Sequence, residues 1–437
     1  MKKITPITSL DATVEVPGSK SITQRALIAA ALAEGESTLI GPLASEDTSY
    51  TMGALRAMGI EIDDRDHGRW LVRGTGGEIG SPDKDIFLGN NGTATRFLTS
   101  VAALGHGRFR ITGDKRMAER PIAPLLEALR GWQVALKSEA NNGCPPLTID
   151  ADGLAGGRTV LPEGKSSQYL SSLLLVAPYA AEPAELEVRG EIMSRPYVEM
   201  TLAVMADFGI RVEAVPSLHF FRIPQGRYMG REYHIEGDAS GASYFWAAAA
   251  VTGGRMTVTN VPVPSLQGDA NLVPLLARMG CTVHRAGQGI SVQGPSRLTA
   301  IEADMGDMPD VAPTLAIVAA FAEGTTVISN VAHLRIKECD RVSAVVTELR
   351  KMGAEVEEEP DRMLIHGRAG GTNLHGTTIE TYHDHRIAMC FAVAGLRVPG
   401  VEITGEGCVA KSFPDFWERF ALLGKNGSAE RHSTITK

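Results

Sequence analysis

The chain alternates between two kinds of helix-length segment, and the alternation recurs along its length. One kind is rich in alanine and leucine with few charges, and a helix that is apolar on nearly every side is buried. The six segments of this kind are ITQRALIAAALAEG, TATRFLTSVAALGHG, SQYLSSLLLVAPYAAE, GASYFWAAAAVTGG, VAPTLAIVAAFAEG and HRIAMCFAVAGLRVPG. The pattern predicts six buried helices.

Each predicted buried helix is followed by a short extended run, such as STLIGPL or RFRITGD, that is typical of a strand. A second helix with one apolar face then ends at a glycine, the usual left-handed cap, and another extended segment follows. These glycines recur at near-constant spacing and are Gly59, Gly131, Gly209, Gly280, Gly353 and Gly424. The repeat predicts six units, each with strands, a buried helix, a strand, a surface helix and a strand.

Chain length determines how these units are grouped. The chain has 437 residues, more than the roughly 250 to 300 that one hydrophobic core usually holds. We therefore expect two domains of three units each, with a crossover near Glu236 to Asp238. The predicted bounds are 18–236 for the first domain and 1–17 plus 237–424 for the second, and the polar tail over 425–437 is predicted to be disordered.

Polar segments precede all six predicted buried helices, namely GSKS, LGNNGTATR, EGKSSQ, EGDASGAS, DMPDVAP and TYHDHR. A helix start exposes unpaired N–H groups and carries roughly half a positive charge, so it attracts anions. Ordinary capping explains any single start. Six starts together favour an anionic ligand held between two domains, and they are accompanied by Lys20, Arg25, Arg96, Lys165 and Arg386.

Composition narrows the class of ligand. The net charge of −8 argues against general affinity for nucleic acid, and the 4 tryptophans are too dispersed to form a stacking surface. Because the sequence has neither a Walker A loop nor a GxGxxG fingerprint, a nucleotide cofactor is not indicated. We expect no cofactor and no metal, since His383 and His385 have no third ligand near them in the sequence.

Cysteine usage and hydropathy bear on the compartment. The 5 cysteines form no CxxC pair, which suggests neither a disulfide framework nor a zinc site. No apolar run reaches the roughly 18 to 20 residues of a membrane span, and ITPITSLDATVEV near the N-terminus is too polar for a signal sequence. We expect a cytoplasmic protein with neither a membrane nor a nucleic-acid partner.

Two carboxylates stand at loop positions beside cations. Asp310 lies in DMPDVAP, and Glu338 lies between Lys337 and Arg341 in RIKECDR. A carboxylate among cations can act as a general base, and one whose pKa is raised can donate a proton. On composition alone, capping by Asp310 and simple ion pairing by Glu338 are the better interpretation. Most other loop cations are typical of solvated surface, among them Lys115, Arg116 and Arg335.

Nine motifs occur in order over nearly the whole chain: VPGSKSITQRAL, LGNNGTATR, RMAERPI, KSSQYLSSLLL, SRPYVEMTL, EGDASGASYF, KECDR, DHRIAMCFA and AKSFPDF. In these motifs the sequence resembles the 5-enolpyruvylshikimate-3-phosphate synthase family of enolpyruvyl transferases. The resemblance implies an α/β fold, a two-domain inverted α/β barrel of six βαβαββ units. It implies transfer of the enolpyruvyl group of phosphoenolpyruvate to the 5-hydroxyl of shikimate 3-phosphate, with release of phosphate, in aromatic amino acid biosynthesis. We expect a monomer whose partners are these two small molecules.

The same resemblance implies the residues of the site. Those for shikimate 3-phosphate would be Lys20, Ser21, Arg25, Ser166, Ser167, Gln168, Ser194, Tyr197, Asp310, His333 and Lys337. Those for phosphoenolpyruvate would be Lys20, Asn90, Gly92, Arg120, Gln168, Arg341, Asp384, His385, Arg386 and Lys411. Asp310 would accept the proton of the attacking hydroxyl. Glu338, with Lys20 or Lys411, would transfer the proton at C3.

Three positions depart from the common pattern of that family. Asn91 stands where alanine is frequent, Phe97 where proline is frequent, and His333 where asparagine is frequent. Gly92 is retained, and in this family that glycine accompanies inhibition by glyphosate. The resemblance therefore implies a glyphosate target.

Three alternatives remain open. Enolpyruvyl transferases that act on UDP-N-acetylglucosamine share the repeats, but they typically carry a cysteine in the loop that corresponds to GDKRMAERPI, which has none here. A non-catalytic anion-binding paralogue would not need both Asp310 and Glu338. An RNA 3′-terminal phosphate cyclase would need nucleotide-binding features and a basic surface.

Overall fold

The computed structural model describes residues 1–286 and 289–424, and the predicted disordered tail over 425–437 lies outside them. Within the described residues the α-helices are α1 Lys20–Leu32, α2 Glu46–Ala57, α3 Gly92–Ala102, α4 Ala123–Gly131, α5 Ser167–Val176, α6 Arg195–Asp207, α7 Ala239–Thr252, α8 Leu272–Arg278, α9 Ala312–Ala320, α10 Arg341–Lys351, α11 His385–Gly395 and α12 Phe416–Ala421. No helix in this part of the chain is long and apolar enough to cross a membrane.

The strands are short and follow the helices in the predicted alternation. The first fourteen are β1 Lys2–Lys3, β2 Asp11–Val14, β3 Glu36–Ile40, β4 Glu61–Asp66, β5 Arg69–Arg73, β6 Ile86–Phe87, β7 His106–Thr112, β8 Ala135–Ser138, β9 Leu147–Asp152, β10 Gly157–Leu161, β11 Ala184–Val188, β12 Glu213–Ala214, β13 Phe220–Ile223 and β14 Glu232–His234. They are followed by β15 Arg255–Val258, β16 Thr282–Ala286, β17 Gly289–Gln293, β18 Leu298–Thr299, β19 Glu302–Asp304, β20 Ala322–Ser329, β21 Glu355–Glu358, β22 Met363–Gly367, β23 Thr378–Ile379 and β24 Glu402–Ile403.

The described strands form six sheets, of which five share a plan of four strands and the sixth has three strands. Their strand orders are β14-β3-β5-β4, β6-β7-β9-β8, β10-β11-β13-β12, β2-β15-β17-β16, β18-β20-β22-β21 with β19 beside β20, and β1-β24-β23. In the third sheet, for example, β10 pairs parallel with β11, which pairs antiparallel with β13. A parallel pair requires a crossover connection, and the buried helix α5 supplies it here. The unit is therefore the predicted βαβαββ repeat.

The six apolar segments form buried helices, as predicted. They are α1, α3, α5, α7, α9 and α11, and every residue of α9 and of α11 is buried. The surface helices α2, α4, α6, α8 and α10 follow in the first five units. In the sixth unit β1, from the start of the chain, pairs antiparallel with β24.

The predicted glycine caps are only partly confirmed. The glycines after α2, α6, α8 and α10 have positive φ, namely Gly59, Gly209, Gly280 and Gly353. Gly131 does not: it is the last residue of α4, and Gln133, at φ 64°, takes the left-handed conformation. A Cβ at Gly131 would lie 2.1 Å from Thr159 Oγ1, so close packing of β10 on α4 requires this glycine. Gly424 ends a 3₁₀ turn and is not such a cap.

Buried apolar side chains separate into two cores. Core A lies between Ile22 and Tyr233, and core B combines Ile4 to Val16 with Ala239 to Leu423. We call the halves built on them domain A and domain B. Residues 1–17 join domain B because β1 and β2 pair with β24 and β15. The domain bounds at 18 and 236 stay a prediction.

The chain passes between the two halves at two adjacent segments. Gly18 and Gly237 form an antiparallel bridge. On either side of it, Ser19 N donates to Glu236 O at 2.8 Å and Asp238 N donates to Pro17 O at 2.8 Å. These paired segments place the starts of α1 and α7 next to each other.

Candidate active site

A polar cavity lies where the buried helices of both domains begin. Its domain A wall consists of Lys20, Ser21, Arg25, Asp47, Asn91, Gly92, Thr93, Arg120, Lys165, Ser166, Ser167, Gln168, Ser194 and Tyr197. Its domain B wall consists of Pro309, Asp310, Lys337, Glu338, Arg341 and Arg386. These residues include the first turns of α1, α3, α5 and α11 and the 3₁₀ turn Pro309–Val311 that precedes α9. A small adjoining polar cavity contains the start of α7.

The helix starts of the two domains differ in charge. In domain A the residues at the N-caps are uncharged: Ser19, Asn91 and Ser166. In domain B a carboxylate stands at each start: Asp238, Asp310 and Asp384. Those carboxylates offset the positive helix ends of domain B, and Asp238 Oδ2 also accepts from Lys20 N at the start of α1, at 3.0 Å. The starts of α3 and α5 are therefore the ones suited to an external anion. Ser166 makes no capping bond, so its hydroxyl is available to a ligand.

Asp310 is held by two arginines. Arg341 Nη1 lies 3.0 Å from Asp310 Oδ1, and Arg386 Nη2 lies 2.5 Å from Asp310 Oδ2. Burial alone would raise the pKa of Asp310, but Arg386 and Arg341 outweigh it and hold the pKa well below its ordinary value. Asp310 is therefore a carboxylate at neutral pH, and it can hold a proton when these arginines are engaged by another anion.

Glu338 shares Arg341 with Asp310. Arg341 Nη2 lies 2.8 Å from Glu338 Oε2, and Arg120 Nη1, from domain A, lies 3.9 Å from Glu338 Oε1. Burial would raise the pKa of Glu338, but Arg341, Arg120 and Lys411 hold it well below its ordinary value. Glu338 can therefore carry a proton only when these cations are engaged by another anion.

Arg120 and Arg386 place buried guanidinium groups on the cavity wall. Among the described residues, the Nε atoms of Arg96, Arg120 and Arg386 are buried away from solvent, so a ligand would contact the two cavity arginines at their Nη atoms. One side of Arg120 is fixed, because its Nη1 donates to Asn90 O at 3.1 Å and to Asn90 Oδ1 at 2.9 Å. Buried N–H groups are normally paired, and guanidinium groups match planar oxyanions. This part of the cavity is therefore suited to a small anion.

A buried ion cluster joins the domains beside these arginines. The Asp47 carboxylate, on α2, lies 3.2 Å from Lys20 Nζ and 2.9 Å from Lys411 Nζ. Lys411 Nζ, from domain B, also donates to Asn90 O in domain A at 2.9 Å. Asp47 thus holds the Lys20 ammonium at the cavity wall and the Lys411 ammonium behind it.

Arg25 is fixed below the start of α1. Its Nε donates to Thr201 Oγ1 at 2.7 Å and its Nη1 donates to Ser21 O at 2.9 Å. Its guanidinium lies 5.3 Å from the centre of the Phe97 ring, within range of a cation–π contact. Burial lowers the pKa of Arg25 to about 10, so the group stays charged at neutral pH.

Burial also shifts the pKa of basic groups on domain B. It lowers the pKa of Lys337 to about 8, with Asp310 opposing the shift and Arg341 adding to it. It lowers the pKa of His333 to about 4, with a further contribution from Lys337. Burial likewise holds the pKa of His385 well below its ordinary value. Both imidazoles are neutral at pH 7, and neither ring has a hydrogen-bond partner among the described residues.

Comparison with known proteins shows the family. The family model for EPSP synthase (3-phosphoshikimate 1-carboxyvinyltransferase) matches residues 4–420. The chain belongs to the EPSP synthase family. Curated relatives named 3-phosphoshikimate 1-carboxyvinyltransferase include that of Trichormus variabilis, 46% identical over 94% of this chain and 96% of the relative. Another, from Syntrophobacter fumaroxidans, is 44% identical over 97% of this chain and 99% of the relative.

Solved EPSP synthase structures have the same fold. The EPSP synthase of Acinetobacter baumannii matches with a TM-score of 0.82 at 28% identity, covering 97% of both chains. A second structure of the enzyme from that organism matches with a TM-score of 0.81. This likeness confirms the predicted two-domain inverted α/β fold.

Fifteen of the residues predicted from resemblance to EPSP synthases line the cavity, and five do not: Asn90, His333, Asp384, His385 and Lys411. Asn90 lies behind Arg120 and accepts a hydrogen bond from it. Lys411 lies behind Asp47 and donates a hydrogen bond to it. Asp384 lies behind Arg341, whose Nε is 2.7 Å from Asp384 Oδ2. The roles of all these residues stay predictions.

Two cations that the sequence associated with the helix starts already pair with groups of the protein. Arg96 donates to the backbone carbonyls of Gly92 and Pro121, at 3.0 and 2.8 Å. Lys165 lies at the cavity rim, but its ammonium is 2.8 Å from a Glu163 carboxylate oxygen and its side chain is 70% exposed.

Sequence reasoning missed three residues of the cavity wall: Asp47, Thr93 and Pro309. Thr93 Oγ1 accepts a hydrogen bond from Gln168 Nε2 at 3.0 Å, which links the starts of α3 and α5. Thr93 lies in the GNNGTATR motif, so its place at a helix start was the available signal. No group of three or more His, Cys, Asp or Glu side chains in the described residues is placed to hold a metal ion.

Proposed function

We propose that this chain transfers the enolpyruvyl group of phosphoenolpyruvate to the 5-hydroxyl of shikimate 3-phosphate and releases phosphate. The observation that carries the proposal is the position of Asp310, a carboxylate held by Arg341 and Arg386. It faces the uncharged helix starts of domain A across one cavity. A base and several cations opposite open helix starts suit a reaction between a hydroxyl and two anionic substrates.

Shikimate 3-phosphate binds mainly to domain A. Its phosphate lies at the start of α5, where the Ser166 hydroxyl makes no capping bond and the helix end is positive. Arg25 supplies a permanent charge nearby. The ring hydroxyls face domain B, where Lys337 and Asp310 line the same cavity. This orientation brings the 5-hydroxyl to the Asp310 carboxylate.

Phosphoenolpyruvate binds between the domains, among Arg120, Arg341, Arg386 and Lys411. Gly92 keeps this space open, because a Cβ there would lie 2.4 Å from Arg120 Nη2. Binding two anionic groups here engages the cations that now surround Glu338. Fixed charges of this kind stabilise the charge that develops on the transferring group.

The proton transfers follow from these charges. As the 5-hydroxyl oxygen attacks C2, Asp310 takes its proton, and C3 takes a proton from Glu338. Glu338 carries that proton because the substrate anions occupy Arg341, Arg120 and Lys411, and its pKa therefore rises. In the second step Glu338 removes a proton from C3, the bond from C2 to the phosphate oxygen breaks, and the departing phosphate takes the proton held by Asp310. Both carboxylates then return to their starting state.

We also propose that the enzyme acts as a monomer in the cytoplasm. Both walls of the cavity come from a single chain, so a second copy is not needed to complete it.

The loop around Arg116 and Arg120 contains no cysteine, unlike that typical of the enzymes that act on UDP-N-acetylglucosamine.

Release of inorganic phosphate from phosphoenolpyruvate tests the function. The purified chain is assayed alone, with shikimate 3-phosphate, and with UDP-N-acetylglucosamine, and the product is identified by mass spectrometry. We expect release only with shikimate 3-phosphate, together with a product one enolpyruvyl group heavier, and inhibition by glyphosate that phosphoenolpyruvate relieves. Release that depends on UDP-N-acetylglucosamine, or no release in any mixture, would overturn the proposal.

A further inference from the structure

Arg116 reaches from domain A to the backbone of residues 337–340 in domain B, which we call the catalytic loop. It immediately precedes the 3₁₀ turn Met117–Glu119. Its Nη2 donates to Lys337 O at 3.0 Å and its Nε donates to Glu338 O at 3.2 Å. Its Nη1 lies 2.9 Å from Glu119 Oε2, which fixes the plane of the guanidinium. All three nitrogens therefore have partners, and two of those partners belong to the other domain.

The loop that Arg116 holds has little structure of its own. Residues 337–340 lie between the 3₁₀ turn Ala332–Ile336 and α10, outside every described helix and strand. Their orientation therefore depends on side-chain contacts rather than on a regular hydrogen-bond ladder. The fork of a guanidinium on two successive carbonyls fixes both peptide groups at once, which a single ammonium cannot do.

The same turn also faces the Glu338 side chain. Arg120, four residues after Arg116, places Nη1 at 3.9 Å from Glu338 Oε1. Domain A thus contacts Glu338 at both ends, its backbone through Arg116 and its carboxylate through Arg120. Both contacts exist only when the two domains are together.

We infer that Arg116 is a positioning residue that sets the Glu338 carboxylate as the domains close, and so couples closure to proton transfer at C3. The inference rests on the proposed function. Arg116 does not line the cavity and touches neither reacting centre. Its effect on the rate passes through Glu338.

Two substitutions separate geometry from charge. Arg116→Gln removes the fork and the charge, whereas Arg116→Lys keeps the charge and removes the fork. Misplacing a catalytic group by about 1 Å can cost on the order of 100-fold in rate. We therefore expect kcat for phosphate release to fall by roughly 10- to 100-fold in both variants. Arg108→Gln is the matched control, because Arg108 is an arginine of the same domain whose side chain is 71% exposed.

A double-variant cycle tests whether Arg116 acts through Glu338. Once Glu338→Gln has removed the proton-transfer group, adding Arg116→Gln should lower single-turnover phosphate release by less than about 3-fold, since residues that share one function are not additive. The thermal midpoint of each variant, measured beside that of Arg108→Gln, shows that the fold is retained.

The outcomes are distinct. Wild-type kcat in Arg116→Gln, full activity in Arg116→Lys, or losses that multiply in the double variant would each overturn the positioning role. No phosphate release by the wild-type chain would instead overturn the proposed function.

Discussion

Replacing Asp310 by asparagine removes a base and a charge while keeping the side chain's shape. A positioned general base contributes roughly 10²- to 10⁴-fold to a rate, which is about 3 to 5 kcal/mol of barrier. We expect kcat of Asp310→Asn to fall by that factor. Asp310 also forms ion pairs with Arg341 and Arg386 at 3.0 and 2.5 Å, and the asparagine releases both guanidiniums to bind a substrate anion. The KM for phosphoenolpyruvate should therefore stay constant or fall.

Steady-state phosphate release at varied phosphoenolpyruvate concentration measures kcat and the KM for phosphoenolpyruvate separately. Asp304→Asn serves as the control, since Asp304 is an exposed residue six positions earlier that accepts a hydrogen bond from Asn330. A kcat within 10-fold of wild type would remove Asp310 from the chemistry. A large rise in the KM for phosphoenolpyruvate would show that Asp310 assists binding of this anion rather than competing with it.

Three further substitutions probe other parts of the cavity. Because the pKa of Lys337 is lowered to about 8, its charge disappears as pH rises through that value. Calorimetry should therefore show the affinity for shikimate 3-phosphate falling above pH 8 in wild type but not in Lys337→Arg. A flat wild-type profile would contradict this. Gly92→Ala places a Cβ 2.4 Å from Arg120 Nη2, so the KM for phosphoenolpyruvate and the inhibition constant of glyphosate should both rise in steady-state assays. Unchanged values would mean that the Arg120 guanidinium moves aside without loss of binding. Asp47→Asn leaves the partly buried Lys20 ammonium and the buried Lys411 ammonium without their shared carboxylate, and denaturant unfolding should show a loss of about 3 kcal/mol. A loss under about 0.5 kcal/mol would mean that Asp47 is not a structural counterion.

The repeat and the helix starts could be predicted because their signals are local. An apolar run such as that of α9, preceded by a polar segment, specifies a buried helix and the place where it begins. The whole signal lies within a window of about 10 to 20 residues. The parallel pairs then follow from the crossover rule. Pairing between distant segments has no such signal: β14 lies beside β3, and β1 lies beside β24.

The site residues that sequence missed or misplaced also depend on distant contacts. Asp47 has the pattern of an ordinary acidic residue in the first turn of α2, and only the fold brings Lys411 to it, 364 residues away. Arg96 has the pattern of a cation at a helix start, yet the neighbouring loop supplies the carbonyl of Pro121, which accepts a hydrogen bond from its guanidinium. Gly131 is required by packing against Thr159, a strand neighbour that helix periodicity does not reveal.

A crystal structure of the chain with shikimate 3-phosphate and glyphosate decides whether the cavity between the domains is the place where two anions meet. We expect the phosphate of the first ligand within hydrogen-bond distance of Ser166 and Arg25, and the second ligand between Arg120 and Arg386 with its anionic groups on their guanidinium nitrogens. Either ligand bound on the exterior, or both bound with Arg120 still more than about 10 Å from them, a distance at which charges are largely screened, would contradict the proposed site.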